Sequence, residues 1–154
     1  MDNTKIVISQ IMLPFQANLS GNVHGGEIMK MMDLTALAVA TKYAKANVVT
    51  VRVEEIQFIL PIFVGAYVTC TGTIAYVGRS SMEIIVEVEV EDLTSGVGPQ
   101  RALSAFFTIV ALDRNQRPLP LPPLRPETDE QKELYELAWR RRESYLSKLN
   151  RKKK

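Results

Sequence analysis

At 154 residues the chain is most simply one domain, long enough to bury about two-thirds of the surface it exposes when unfolded. Its 46% hydrophobic and 23% charged content is that of an ordinary globular protein, and no uncharged run nears the roughly 18–20 apolar residues of a membrane helix. One cysteine excludes an internal disulfide and a cysteine-cluster zinc site, while the net charge of +2 hides a basic end: residues 140–154 hold eight bases against one acid, leaving −5 on the other 139.

The chain opens on MDNTKIVISQIMLP, which has neither the charged lead nor the long apolar core of a secretion signal, so a cytoplasmic protein is expected. Residues 6–12 suit a short first strand. Residues 14–25 read as loop, with Pro14, Asn18, Ser20, Gly21 and Asn22 as turn-formers. A helix is predicted over 26–46, apolar on most faces and therefore enclosed rather than lying on a surface.

The start of that helix carries the chemistry. Gly25 and Gly26 let the backbone approach a ligand where the helix begins, and a helix start offers unpaired N–H groups to a carbonyl oxygen gaining negative charge. Asp33 follows about two turns later, the single ionisable residue from Met31 to Thr41. A carboxylate is costly to bury without a partner. Its two readings are a working acid and a structural one paired with Lys30 at i−3. An oxyanion-binding helix start beside a carboxylate base is a hydrolytic layout.

Beyond residue 46 the period drops from 3.6 to 2. Strands are predicted over 48–60, 66–77, 82–91 and 101–112. In the third, Glu83, Glu87, Glu89 and Glu91 alternate with Ile84, Val86, Val88 and Val90, one face wet and one buried. Short links at Gly78–Arg79 and residues 96–99 imply antiparallel neighbours. Cys70 falls in a strand-like run, where a buried inert thiol competes with a nucleophile. RPLPLPPLRP, residues 117–126, is a stiff connector that also fits a PxxP ligand pattern. Thr128 or Asp129 can cap a last helix to about residue 149, with Leu134, Leu137, Ala138, Tyr145 and Leu149 on its apolar side. Residues 151–154 read as a solvated tail, with nucleic acid or an anionic surface as the other candidate.

The blocks ANLSGNVHGG, KMMD, VVTVRVEEIQFILPIFVG, YVGRSSMEI and FFTIVALD, in this order and spacing, resemble the hotdog-fold acyl-CoA thioesterases, in particular the bacterial short- and medium-chain type and the brain-type cytosolic hydrolases. The resemblance covers residues 8–145. It implies an α+β hotdog fold: one long central helix wrapped by a curved antiparallel sheet of five or six strands, plus a C-terminal helix. Residues 1–126 would form the hotdog domain, 127–150 a helix packed on or beside it, and 151–154 the basic tail.

The resemblance also implies an activity, hydrolysis of fatty acyl-CoA to free acid and CoA. It sets the family's catalytic asparagine and acid on Asn18 and Asp33. Gly25 and Gly26 would hold the oxyanion. His24 is a supporting residue in that pattern. As the chain's single histidine, without a GxSxG elbow, it does not make a serine–histidine–acid triad. It does admit hydratase or dehydratase chemistry, and an acyl-CoA-binding module without catalysis is the third alternative. A sensor of that kind usually carries a DNA-binding domain, for which the roughly 10 residues ahead of the match are too few.

Asp33 can act as general base or as nucleophile, and these routes stay open. Gly78, Arg79, Ser80 and Ser81 form a turn able to offer amides, hydroxyls and a guanidinium to the phosphates of coenzyme A. Arg52 and the Arg140–Arg142 run are weaker phosphate candidates. Met29, Met32 and Phe58 are possible liners of an acyl pocket. No metal and no separate cofactor is expected, CoA being part of substrate and product. Expected partners are acyl-CoA, CoA and further copies of the chain: a homodimer at minimum with Asn18 and Asp33 supplied by different protomers, and a hexamer as a trimer of dimers. No nucleic acid or membrane partner is expected.

Overall fold

A computed structural model describes residues 2–153. Its elements run β1 (Lys5–Ile11), a 3-10 turn at Pro14–Gln16, α1 (Gly25–Ala44), β2 (Asn47–Glu54), β3 (Tyr67–Val77), β4 (Ser81–Glu91), β5 (Gln100–Leu112) and α2 (Asp129–Lys152). The five strands form one antiparallel sheet in the order β1-β3-β4-β5-β2. This is the α+β arrangement expected, with five strands.

The sheet wraps α1. Eight of its side chains are buried against the inner sheet face, among them Ile28, Met32, Ala36 and Val39. An apolar helix of this kind is stable only when enclosed, and the inward residues of β3, β4 and β5 enclose it. Helix and sheet come close together at Gly72 on β3. A Cβ there would lie 3.1 Å from Thr35 Cγ2 and 3.3 Å from the Thr35 carbonyl oxygen. The Thr35 hydroxyl donates to the Met31 carbonyl at 2.7 Å, so its buried polar atom is satisfied.

Three expectations are corrected. The strand predicted over 48–60 stops at Glu54, because Glu55 takes a left-handed backbone (φ 48°); beyond it the chain is irregular, with Ile59 N–H donating to the Ala102 carbonyl. Glu83 does not face water: it is 4% exposed, because α2 covers the outer sheet face through a second apolar cluster of Ala75, Phe106 and Ala138. Leu137 of α2 is 48% exposed instead of packed.

The cap of α2 is as expected, with Thr128 Oγ1 accepting from Gln131 N–H at 3.1 Å and the Gln131 side chain reaching back. The helix runs on through Lys152, so Arg151 and Lys152 are helical and exposed, while Lys154 lies outside the described residues. The proline-rich connector is tied down: Leu119 N–H donates to Ala111, Leu121 N–H to Arg79, and the Tyr43 hydroxyl to the Pro122 carbonyl. Among the described residues, no helix is long and apolar enough to cross a membrane.

This packing generates two predictions. Gly72→Ala sets a methyl tightly against the Thr35 side chain and carbonyl, which must give by a few tenths of an ångström, and should cost about 1–3 kcal/mol in denaturant unfolding. Cys70 is fully buried and its pKa is pushed up by that burial to about 11, so the native protein should resist thiol reagents and the unfolded chain should titrate as one thiol.

Candidate active site

The loop ahead of α1 is built to present its first turn. Gln16 is buried; its Oε1 accepts from Leu13 N–H at 2.8 Å and its Nε2 donates to Glu27 Oε2 at 3.3 Å, tying the loop to the helix. His24 is the N-cap residue. Its N–H donates to the Gln16 carbonyl at 2.8 Å and its carbonyl accepts from Glu27 N–H at 3.0 Å. The next two amides, Gly25 and Gly26, belong to the first turn and have no acceptor within the helix. Among the described residues nothing beyond its chain neighbours and the helix's own backbone lies within 4 Å of the space a Cβ would fill at Gly26, so a ligand can come against the backbone there. At Gly25 that space is bounded by Phe58, 3.4 Å away.

Asn18 sits across a cleft of about 410 Å³ that it lines together with Gly25, Ile28 and Phe58. Its Oδ1 accepts from Ser20 N–H at 2.9 Å and from Asn22 N–H at 3.1 Å, which fixes the loop as an Asx turn. Its Nδ2 donates to none of the described residues. The free end of Asn18 is therefore a donor, suited to an oxyanion or a water.

Asp33 lies on the next turns of α1, half-buried, with the Thr50 hydroxyl of β2 donating to its Oδ1 at 2.7 Å. No ion pair to Lys30 is present among the described residues, so the structural reading through that lysine has no support. Asp33 does not line the Asn18 cleft. One chain thus brings Asn18 and Gly25 into one cleft and holds Asp33 outside it.

The remaining candidates divide. His24 is exposed, and its ring makes no hydrogen bond to a described residue. Gly78, Arg79, Ser80 and Ser81 form the β3–β4 turn, closed by Gly78 N–H donating to Ser81 O at 2.8 Å, with Arg79 exposed. That turn lies at the far end of β3 from the cleft, about 35 Å along an 11-residue strand.

Arg52, a phosphate candidate in the sequence, is engaged within the protein: its Nη1 pairs with Glu54 Oε1 at 2.8 Å, and its guanidinium stacks on Tyr145 of α2, 3.6 Å from the ring centroid. Of the basic run, Arg140 pairs with Glu136 and Arg141 with Glu54, while Arg142 packs over Tyr76. Met32 is core, fully buried, whereas Met29 and Phe58 are about half exposed. Among the described residues no three histidine, cysteine, aspartate or glutamate side chains gather as metal ligands.

Sequence reasoning missed Thr50. It is the single hydroxyl in the run NVVTVRVE, and a polar residue on a valine-rich strand facing a helix acid is the signal that would have found it. It also missed Glu83, whose carboxyl is raised above the usual 4.5 by burial, against the hydrogen bond from Thr108 at 2.7 Å and the nearby Arg52 and Arg142 charges.

A single helix enclosed by a curved antiparallel sheet, with an exposed glycine amide pair at the helix start and an acid farther along, is a hotdog-type arrangement. The thioesterase superfamily signature matches residues 20–97, and the chain belongs to that family. It is 37% identical over 127 residues to the acyl-CoA thioester hydrolase YciA of Salmonella typhimurium, covering 79% of this chain and 96% of that one.

It is 40% identical over 124 residues to the rat cytosolic acyl coenzyme A thioester hydrolase, 80% of this chain but 32% of the relative, so it spans about a third of that protein's length. Among solved structures it is similar to the acyl-CoA hydrolase of Staphylococcus aureus in complex with butyryl coenzyme A (TM-score 0.87, 30% identity, 97% and 90% of the two chains). It is also similar to a hexameric thioesterase of Yersinia pestis (TM-score 0.71, 34% identity, 79% and 98%).

The buried carboxyl gives a pH test. A group whose pKa is raised by folding stabilises fully below its ordinary value, and that contribution is lost as pH rises through the raised one. Unfolding free energies measured across pH should show the wild type falling relative to Glu83→Gln as pH rises from 4.5, then running parallel to it.

Proposed function

We propose that this chain hydrolyses acyl-CoA thioesters to a free carboxylic acid and CoA-SH. The thioester carbonyl oxygen rests against the Gly25 and Gly26 amides, where the helix dipole favours the charge that develops on it. Asp33, held by Thr50, takes a proton from water as the water oxygen attacks the carbonyl carbon. The tetrahedral intermediate expels the CoA thiolate, which recovers the proton from Asp33. Asn18 Nδ2 orients the water or adds a donor to the oxyanion. Direct attack by the Asp33 carboxylate, with water cleaving the resulting anhydride, reaches the same products. Neither route calls for a metal or a separate cofactor.

The observation that carries this reading is the pairing of an open first helical turn with an acid tied by one oxygen. Solved variants of the Staphylococcus aureus hydrolase support it. That enzyme has been solved with an asparagine, an aspartate and a threonine each replaced by alanine, and Asn18, Asp33 and Thr50 repeat those residue types at the same spacing.

The working unit is a two-fold dimer. β2 is a sheet edge with Val49, Val51 and Val53 exposed at 41%, 56% and 39%, a strand that calls for a cover. Antiparallel pairing of two β2 edges sets the end of one strand beside the start of the other. The Asn18 cleft of one protomer then meets Asp33 and the Gly78–Ser81 turn of its partner, so that this turn serves the CoA phosphates. The name of the Yersinia pestis relative supports a further step to a hexamer, a trimer of dimers. The enzyme acts in the cytoplasm, as the name of the rat relative supports.

The test is thiol release from acyl-CoAs of two to sixteen carbons. Asp33→Asn should lower kcat by about 10³ and Asn18→Ala by about 10²–10³, both keeping the fold. Undiminished turnover in Asp33→Asn would remove that residue from the mechanism, and acyl-CoA binding without thiol release would turn the reading to a binding module.

A further inference from the structure

Thr50 and Arg52 are two residues apart on β2 and would share one sheet face in a regular strand. They do not. Thr50 pairs with Ile109 and Arg52 with Thr108, leaving Val51 as an extra residue against β5. Such a bulge reverses the alternation beyond it and re-aims the side chains on either side. Thr50 therefore faces inward to Asp33 on α1, while Arg52 and Glu54 face outward to α2.

Within one protomer Val51 is 56% exposed and is not among the core residues. The strand past the bulge is held instead from the outer face. Glu54 uses both oxygens, Oε1 on Arg52 Nη1 and Oε2 on Arg141 Nη2, each at 2.8 Å. Arg52 lies against Tyr145, and the Arg141 guanidinium sits 4.6 Å from the centre of the Phe106 ring. The three charged side chains are 15%, 29% and 30% exposed, so this is a partly desolvated array in which removing Glu54 leaves both arginines without their carboxylate. Among the described residues the Nε atoms of Arg52 and Arg141 are buried with no partner, so each guanidinium is held by its bond to Glu54 and its aromatic contact.

We propose that Arg52, Glu54 and Arg141 form a positioning clamp: by fixing the β2 bulge from α2, they hold the Thr50 hydroxyl on Asp33. None of the three touches the cleft, so their role is positioning and not catalytic. This rests on the reading of Asp33 as the working acid. It makes α2, on the opposite face of the sheet from α1, part of the machinery that sets the acid.

Glu54→Gln keeps the side chain's shape and removes the charge that joins both arginines. Assayed as folded enzyme, it should lower kcat about tenfold with KM unchanged, and Arg141→Met should act in the same direction with partial rescue by Arg141→Lys. Thr50→Val should lower kcat as well, and Thr50→Val/Glu54→Gln should fall no further than Thr50→Val alone, since both act through one hydrogen bond. Amide exchange at residues 51–53 should quicken in Glu54→Gln, a readout independent of turnover.

A Glu54→Gln enzyme with lowered Tm but wild-type kcat and exchange would overturn the clamp, as would losses that multiply in the double variant. A wild type that releases no thiol would contradict the proposed activity instead, leaving the exchange rates to decide the clamp.

Discussion

A carboxylate on a helix that a sheet encloses needs donors for its oxygens. Asp33 meets that constraint with one hydroxyl from the edge strand, Thr50 at 2.7 Å, leaving its second oxygen free of protein partners among the described residues. Much of the architecture serves that contact. The Gly72–Thr35 approach sets how near the helix lies to the sheet, and the bulge at Val51 sets which way Thr50 points.

The same helix supplies the opposite pole. Its start presents the Gly25 and Gly26 amides where the dipole is positive, and the Gln16–Glu27 and Asn18 loop contacts hold that start open. Donors and acid are thus fixed on one rigid element, at a separation that a single chain does not bridge with a shared cleft. In the proposed dimer, a second copy across the β2 edge joins them. The exposed valines of that edge gain a cover in the same step.

The fold is largely legible in the sequence because its signals are local. The change of period after residue 46, the short turns and the Thr128 cap each follow from a few neighbouring residues. The helix start and the acid are legible for the same reason. What escapes depends on contacts between distant segments. Glu83 alternates like a solvent-facing residue and is buried by a helix more than forty positions later in the chain. Arg52 reads as a free cation until the bulge turns it toward Tyr145 and Glu54. Thr50 is a small hydroxyl whose meaning comes from a helix 17 residues earlier. The strand expected over 48–60 is too long because the left-handed turn at Glu55 uses a residue type that gives no warning of it.

We propose that each site is assembled from two chains, one giving Asn18 and the amides and the other giving Asp33. The direct measurement is thiol release by purified mixed dimers of Asp33→Asn and Asn18→Ala protomers, carrying different affinity tags. Each variant alone should be nearly inactive. The mixed dimer holds one intact site and one doubly altered site, so it should recover about half of the wild-type rate. Mixed dimers as inactive as either parent would contradict the shared site and place Asn18 and Asp33 in one chain's own cleft.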